Sequence, residues 1–344
     1  MNVKKDITIY DIARKMDIST ATVSRALNNN ASISEKTRIK IKETAKELGY
    51  RHNNFAKNLR NQKSHTIGVL IHELVSTFTT SVLGGIEKVT TEAGYDIIIA
   101  HSSEQMAKEI KNANNLFHKR VDGVIASLAF DTDDLSHFEP FNEKNIPVIF
   151  FDRVEENIES TKVIIDNYKG GYSATKHLID QGCKHIAIVT GTQKRNVYSQ
   201  RFKGYRDALI DSGFDLREDY VIINELSEKS GADAAMQILN LRPIPDAAFV
   251  TNDLTAAVFM KKLKEYDISI PGDIAVVGFN NDVVSKIVEP ELTTVDYPGF
   301  LMGEVAAIQL INHLSGKSDV KQLSTIIINS ELIIRKSSLK SGKR

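Results

Sequence analysis

From residue 66 onward the chain alternates two hydrophobic rhythms. Solid apolar runs recur at TIGVLI (66–71), YDIIIA (95–100), VDGVIASL (121–128) and PVIFFD (147–152). A second set follows at KVIID (162–166), HIAIVTG (185–191), YVIIN (220–224), AAFVTN (247–252) and IAVVGFN (274–280). Runs without polar alternation suit strands covered on both faces, so they predict parallel sheets. Between them, apolar residues fall at helical spacing, for instance over 82–93, 106–119, 171–181, 201–212, 231–239 and 254–266. Two successive βαβ series predict an α/β unit of two doubly wound lobes. Open α/β sheets bind ligands beyond the carboxyl ends of their strands. Asp152, Asn252 and Asn280 stand at such ends, so the pattern aims them at an interlobe cleft.

The first fifty residues have only the helical rhythm. Thr8 and Asp11 make a helix-start signature ahead of Ile9, Ile12, Ala13 and Met16. Asp17-Ile18 interrupts the pattern, and Ser19 can cap a second helix through Leu27 with Val23 and Ala26 on its apolar face. Ser34 opens a third, buried along Ile41, Ala45 and Leu48 and stopped by Gly49. Two short helices about three residues apart predict an all-α helix-turn-helix domain. Its second helix exposes Thr20, Ala21, Thr22, Ser24 and Arg25. Arginine can chelate guanine, and alanine or a threonine methyl can meet a thymine methyl. Residues 53–65 follow, with Phe55, Ala56 and Leu59 on one face and too little apolar surface for a helix on its own. Two readings stand for this stretch: a helix that forms only when paired on DNA, with Leu59 as a minor-groove wedge, or a plain polar linker.

Charge sharpens the division. The 344 residues hold 44 basic and 44 acidic side chains. Residues 1–63 carry nine Lys and five Arg against three Asp and three Glu, or 14 − 6 = +8, which leaves 30 − 38 = −8 for the rest. A basic head on an acidic body predicts a polyanion-binding module joined to something that does not touch the polyanion. The apolar content of 42% fits a soluble α/β protein, and no run approaches the roughly 18 apolar residues of a membrane span. A lysine pair near the start without an apolar stretch behind it argues against a secretion signal. One cysteine, Cys183, leaves no internal disulfide and suits a reducing compartment, so a cytoplasmic protein is expected.

The run ITIYDIARKMDISTATVSRALNNNASISEKTRIKIKETAKELGYRHNNFAKNLR resembles the N-terminus of the LacI/GalR family of bacterial regulators. Its DIA, TVSRALN, ISEKTR, A-x-ELGY and A-K-x-L-R elements stand in that family's order and spacing. The resemblance implies that Thr20, Ala21 and Arg25 read bases, with Thr22 beside them, and that Ala56, Lys57 and Leu59 form a minor-groove hinge with Leu59 intercalating. It departs in having Asn53 and Asn54 where a proline is usual, and Asn58 where the family is usually small. VDGVI, PVIFFDR, R-x-x-G-Y (201–205), FVTND and VVGFN-N-D with LTTV (292–295) resemble the family's periplasmic-binding-protein-like effector domain. That likeness puts Asp152, Arg201 and Asn252 against an effector, while Phe78, Tyr198 or Phe279 would pack on a sugar ring. The family often has Asp where Asn280 stands. It implies limits of 1–53 for the reader, 54–65 for the hinge, 66–161 with 293–322 for one lobe, and 162–292 with 323–338 for the other.

Other chemistry is thinly represented. No phosphate-binding P-loop occurs, and the nine histidines form no H-E-x-x-H, so neither cofactor nor metal is expected. His72-Glu73 reads as a loop feature, Cys183 as a small buried residue, and Gly84-Gly85 as close helix packing. The expectation is a homodimeric, or tetrameric, ligand-controlled repressor of carbohydrate-related genes, binding double-stranded operator DNA and a carbohydrate, with no catalysis and no membrane. A sugar-binding transport component, and a sugar- or nucleotide-processing enzyme with a DNA-binding appendage, are the alternatives. A phosphorylated protein partner is left open.

Overall fold

The structure, a computed structural model, describes residues 7–50, 63–155, 158–320 and 324–340. The chain divides into two compact units, Met1–Ser64 and His65–Arg344. The described residues of the first form three helices, α1 (Ile9–Met16), α2 (Thr20–Leu27) and α3 (Glu35–Leu48). Each begins on the expected polar residue. The Asp11 carboxylate accepts from the Thr8 backbone N–H at 2.9 Å, Ser19 Oγ accepts from the Thr22 N–H at 3.1 Å, and Ser34 Oγ from the Thr37 N–H at 3.3 Å. These bonds satisfy donors a helix start otherwise leaves open. Gly49 ends α3 at φ 73°, the left-handed stop that glycine takes without a Cβ penalty. The helices close over a small core of Ile12, Ala13, Val23, Ala26, Ile41 and Ala45.

The described residues of the second unit form two six-stranded sheets. In chain order its early elements are β1 (Thr66–Ile71), α4 (Thr77–Glu92), β2 (Asp96–His101), α5 (Met106–His118), β3 (Gly123–Ala126), α6 (Glu139–Glu143), β4 (Val148–Phe151) and β5 (Lys162–Ile165). Then come α7 (Asn167–Asp180), β6 (Ile186–Thr190), α8 (Asn196–Asp211), β7 (Val221–Ile223), α9 (Glu228–Asn240), β8 (Ala247–Val250), α10 (Asp253–Lys264), β9 (Ala275–Asn280) and α11 (Val283–Ile287). Last are β10 (Thr293–Asp296), α12 (Gly299–Leu314), β11 (Thr325–Ile328) and β12 (Leu332–Ile333). The first sheet runs β11-β5-β4-β3-β1-β2, all parallel. The second runs β12-β10-β9-β8-β6-β7, parallel except for β12.

The two parallel lobes are as expected, but three strands pair differently from the limits that the family likeness implies. β5, expected in the second lobe, lies in the first sheet, with Phe151 opposite Val163. β10, expected in the first lobe, lies in the second sheet, with Val295 opposite Phe279. β11, expected in the second lobe, pairs with β5 in the first. An apolar run shows that a strand is buried, not which sheet receives it, and each crossover comes one strand later than expected. The chain therefore passes between lobes at Asp166, at Tyr297–Pro298 and at Asn329–Glu331.

One joint recurs in both lobes. A Cβ added at Gly85 of α4 would lie 2.0 Å from the Phe300 carbonyl oxygen of α12, and one at Gly303 equally close to that of Val82. In the second lobe a Cβ at Gly171 of α7 would come 2.2 Å from the Arg201 carbonyl oxygen of α8, and one at Gly204 as close to that of Tyr168. Backbone touches backbone at both crossings, so only hydrogen fits. Gly84 has no such neighbour, so of the Gly84-Gly85 pair read as close packing only the second residue makes it.

Candidate functional site

In the three-helix unit α2 turns Val23 and Ala26 inward. Ala21 and Arg25 are exposed on its outer side, and Thr20 and Thr22 are half-buried beside them. Thr22 has a second task, since its hydroxyl lies 2.9 Å from that of Ser19 at the helix cap. Ala56, Lys57 and Leu59 of the expected hinge lie outside the described residues.

In the second unit a cleft opens where the carboxyl ends of both sheets meet, enclosing about 540 Å³ of space with open solvent at its mouth included. Six of the seven residues expected there line it: Phe78, Asp152, Tyr198, Arg201, Asn252 and Asn280. The seventh, Phe279, does not. It is fully buried beneath Arg201, its ring centroid 3.6 Å from the guanidinium carbon, so it supports the arginine and faces no ligand. On β9 the side chains alternate, and Asn280 rather than Phe279 takes the cleft side.

Each polar group of the floor is partly committed. Arg201 Nε donates to Asn167 Oδ1 at 2.8 Å and Nη1 to the Thr251 carbonyl at 3.1 Å. Asn252 Oδ1 caps α10 by accepting the Thr255 N–H at 3.0 Å and the Thr255 hydroxyl at 3.1 Å, which leaves its amide N–H groups as the remaining donors of a cleft residue. Asp152 accepts from the Tyr297 hydroxyl through Oδ1. Burial, with the Asp152 charge beside it, pushes the Tyr297 phenol well above its usual range, so it is the donor. Burial also raises the Asp152 carboxyl, opposed by neighbouring Arg153 and by the Tyr297 bond. It lowers Arg201, and with Arg153 nearby it holds His72 well below the usual histidine range. His72 is therefore a neutral ring, paired at 3.2 Å with Ser127.

Aromatic rings wall the cleft. Phe78 stacks on Tyr297 at 4.2 Å between centroids, and Phe130 lies 5.7 Å from Tyr198. Arg153 sits 4.2 Å over the Phe130 ring and is held by Glu104 at 2.6 Å, while Nη2 donates to Tyr198 at 3.3 Å. Burial works against its charge, but Tyr198, Glu104 and Asp152 outweigh that and raise its pKa. Two further acidic side chains line the cleft, Glu73 and Glu225, one from each lobe, and burial with the Glu104 charge nearby raises the Glu73 carboxyl against the pull of Arg153.

Residues 8–53 match the family described as "Bacterial regulatory proteins, lacI family". Residues 64–336 match the one described as "Periplasmic binding proteins and sugar binding domain of LacI family". The chain belongs to the LacI family. Catabolite control protein A of Priestia megaterium is 33% identical over 311 residues, spanning 90% of this chain and 93% of that protein. The HTH-type transcriptional repressor PurR of Photobacterium profundum is 28% identical, over 96% and 98%. Among solved structures, the lac repressor dimer bound to operator and the anti-inducer ONPF matches with a TM-score of 0.87 at 25% identity, over 97% of this chain and all of that one. The complex of the regulator CelR with cellobiose matches with a TM-score of 0.74 at 27% identity, over 96% and 99%. This LacI-family chain is thus a DNA-binding transcription regulator and not an enzyme or a transport component, since its full-length relatives regulate transcription. Among the described residues no helix is long and apolar enough to cross a membrane, and no group of three or more acidic, His or Cys side chains is placed to hold a metal.

Tyr297, Arg153, Glu104 and Asn167 join the site without having been expected in it. Tyr297 directly follows the TTVD run and stands on a crossover, where no apolar rhythm announces it. Arg153 adjoins Asp152 in the PVIFFDR motif, and that adjacency is the signal that could have found it.

Proposed function

We propose that this LacI-family regulator is a cytoplasmic repressor that binds a near-palindromic operator as a homodimer and takes a neutral, polyhydroxylated effector, a sugar or sugar derivative, in its cleft. The target genes would be carbohydrate-related. One observation carries the effector class. After their protein bonds are counted, the cleft still offers Asp152 Oδ2 and Asn280 Oδ1 as acceptors, and Arg201 Nη2 and Asn252 Nδ2 as donors, between aromatic walls. A sugar hydroxyl both donates and accepts, so it needs that mixture, and a ring face needs the walls. Arg153 is held by Glu104 and two further acidic side chains line the cleft, which disfavours a phosphorylated ligand. The match to a cellobiose complex supports the same class.

A thermal-shift screen of neutral sugars and their phosphates tests this, because a ligand of the native state raises its melting temperature. At least one neutral sugar should stabilise the chain, and Arg201→Ala should abolish that shift with operator binding intact. Stabilisation by phosphates alone would overturn the neutral class.

The reader is tested separately. Arg25→Ala should cost about 1–3 kcal/mol on the cognate operator and flatten the preference at one base position. An equal loss on random DNA in a mobility-shift titration would make Arg25 a phosphate contact.

A further inference from the structure

Asp152 holds a backbone shape that residues with a side chain rarely take, at φ 59°. Such a conformation persists only where the surroundings over-determine it, and it tends to mark functional sites. Its N–H is fixed from its own lobe, donating to the Val163 carbonyl at 3.0 Å. The Arg153 carbonyl is held from the same lobe, accepting the Leu128 N–H at 3.2 Å, whereas the Asp152 carbonyl and the Val154 N–H are held from across the cleft. Asn196, the first residue of α8, donates through Nδ2 to the Asp152 carbonyl at 3.0 Å and accepts the Val154 N–H through Oδ1 at 3.0 Å. One amide side chain therefore brackets residues 152–154 as a neighbouring strand would. Only a side chain with both a donor and an acceptor at that spacing can do so. Contacts on both flanks run the same way. Arg195 donates to the Thr132 carbonyl and pairs with Glu155 at 3.1 Å, and Tyr198 accepts from Arg153. Thr132, Asp152, Arg153 and Glu155 follow strands of the first sheet, and α8 follows a strand of the second.

We propose that Asn196 is a positioning residue for the effector site: from the opposite lobe its amide pins the left-handed turn at Asp152, so the carboxylate is aimed only while the lobes are closed. The consequence for a sugar rests on the effector reading above; the bracket itself does not. Opening the lobes removes both bonds and leaves the left-handed turn held by its own-lobe bonds alone, with the Asp152 carbonyl and the Val154 N–H released. A ligand that needs the aimed carboxylate then binds the closed form more tightly, and by linkage holds it closed. Arg201 stands five residues further along the same helix, so one helix both carries the guanidinium and sets the carboxylate opposite it.

The test uses the full-length chain without ligand. Val75→Cys and Glu228→Cys place nitroxide labels on exposed positions of the two lobes near the mouth, diluted into excess unlabelled chain so that each pair reports one molecule. Cys183 is buried, and burial pushes its thiol up to about 11, so it stays unlabelled. Pulsed dipolar spectroscopy should show the open-to-closed ratio raised about tenfold by Asn196→Ala, which loses both hydrogen bonds. Asn196→Asp keeps the acceptor for Val154 but sets a carboxylate oxygen against the Asp152 carbonyl in place of the donor, so it should open the cleft at least as far as Asn196→Ala. That ordering is one a merely structural residue would not produce. An unchanged distance distribution in the folded Ala variant overturns the proposal. Should the Ala variant fail to fold, an unshifted distribution in the Asp variant does the same. Failure of the effector reading shows elsewhere, as a wild-type chain that no sugar stabilises.

Discussion

The two lobes share a joint and use it differently. In each, two helices cross where glycine meets carbonyl, with one spacing throughout: each glycine stands three residues beyond the residue whose carbonyl meets the other glycine. At matching positions of the crossings stand Phe300 and Arg201. Phe300 is 42% exposed, with Lys88 5.7 Å above its ring, whereas Arg201 is 3% exposed and faces the cleft. The same backbone contact is scaffolding in one lobe, and in the other it fixes a guanidinium. A close-packed helix pair gives a functional side chain a rigid base, because the backbone beneath it has nowhere to move.

The largest test of that contrast replaces the touching glycines. Gly85→Ala and Gly171→Ala should each cost about 3 kcal/mol or more in a denaturant titration, since the added carbon meets backbone and the helices must part. Only Gly171→Ala should also weaken effector binding by the molecules that remain folded, because α8 carries Arg201. Equal loss in both variants would end the distinction between scaffold and mount.

A smaller test uses the preceding glycines. A Cβ at Gly170 would come within 3.0 Å of the Phe279 ring that supports Arg201, so Gly170→Ala should lower effector affinity several-fold in a calorimetric titration. At Gly84 the nearest atoms are at an ordinary 3.6 Å. There Gly84→Ala should raise stability by about 0.5–1 kcal/mol through helix propensity alone. A destabilised Gly84→Ala would mean that the first lobe is packed as tightly there as the second.

Much of this architecture is legible in the amino-acid sequence. Strands buried on both faces announce themselves, as PVIFFD and IAVVGFN do, because no polar alternation interrupts them. Capping serines and Gly49 mark the ends of the reader helices through local chemistry. Asp152 and Asn252 can be named because strand ends and a family pattern both point to them, and Arg201 by the family pattern alone. Sheet membership is not legible for 162–165, 293–296 or 325–328, since pairing is a long-range choice that composition does not encode. Phe279 differs from its expected place by one step of the strand alternation. Asn196 carries no signal, because an asparagine at a helix start has a local explanation and its partners lie over 40 residues earlier.

The first-lobe crossing also has a bearing on how the protein is made. Its ion pair, Lys88 with Glu304, joins residues 216 positions apart, and β11 completes that sheet later still. At synthesis rates of about 5–20 residues per second, roughly ten to forty seconds separate the two halves of the joint. The reader, finished by residue 50, has all of its core long before then. Each new chain therefore gains the means to recognise DNA before it gains the means to sense anything, and the ability to respond arrives only with its last stretch of sequence.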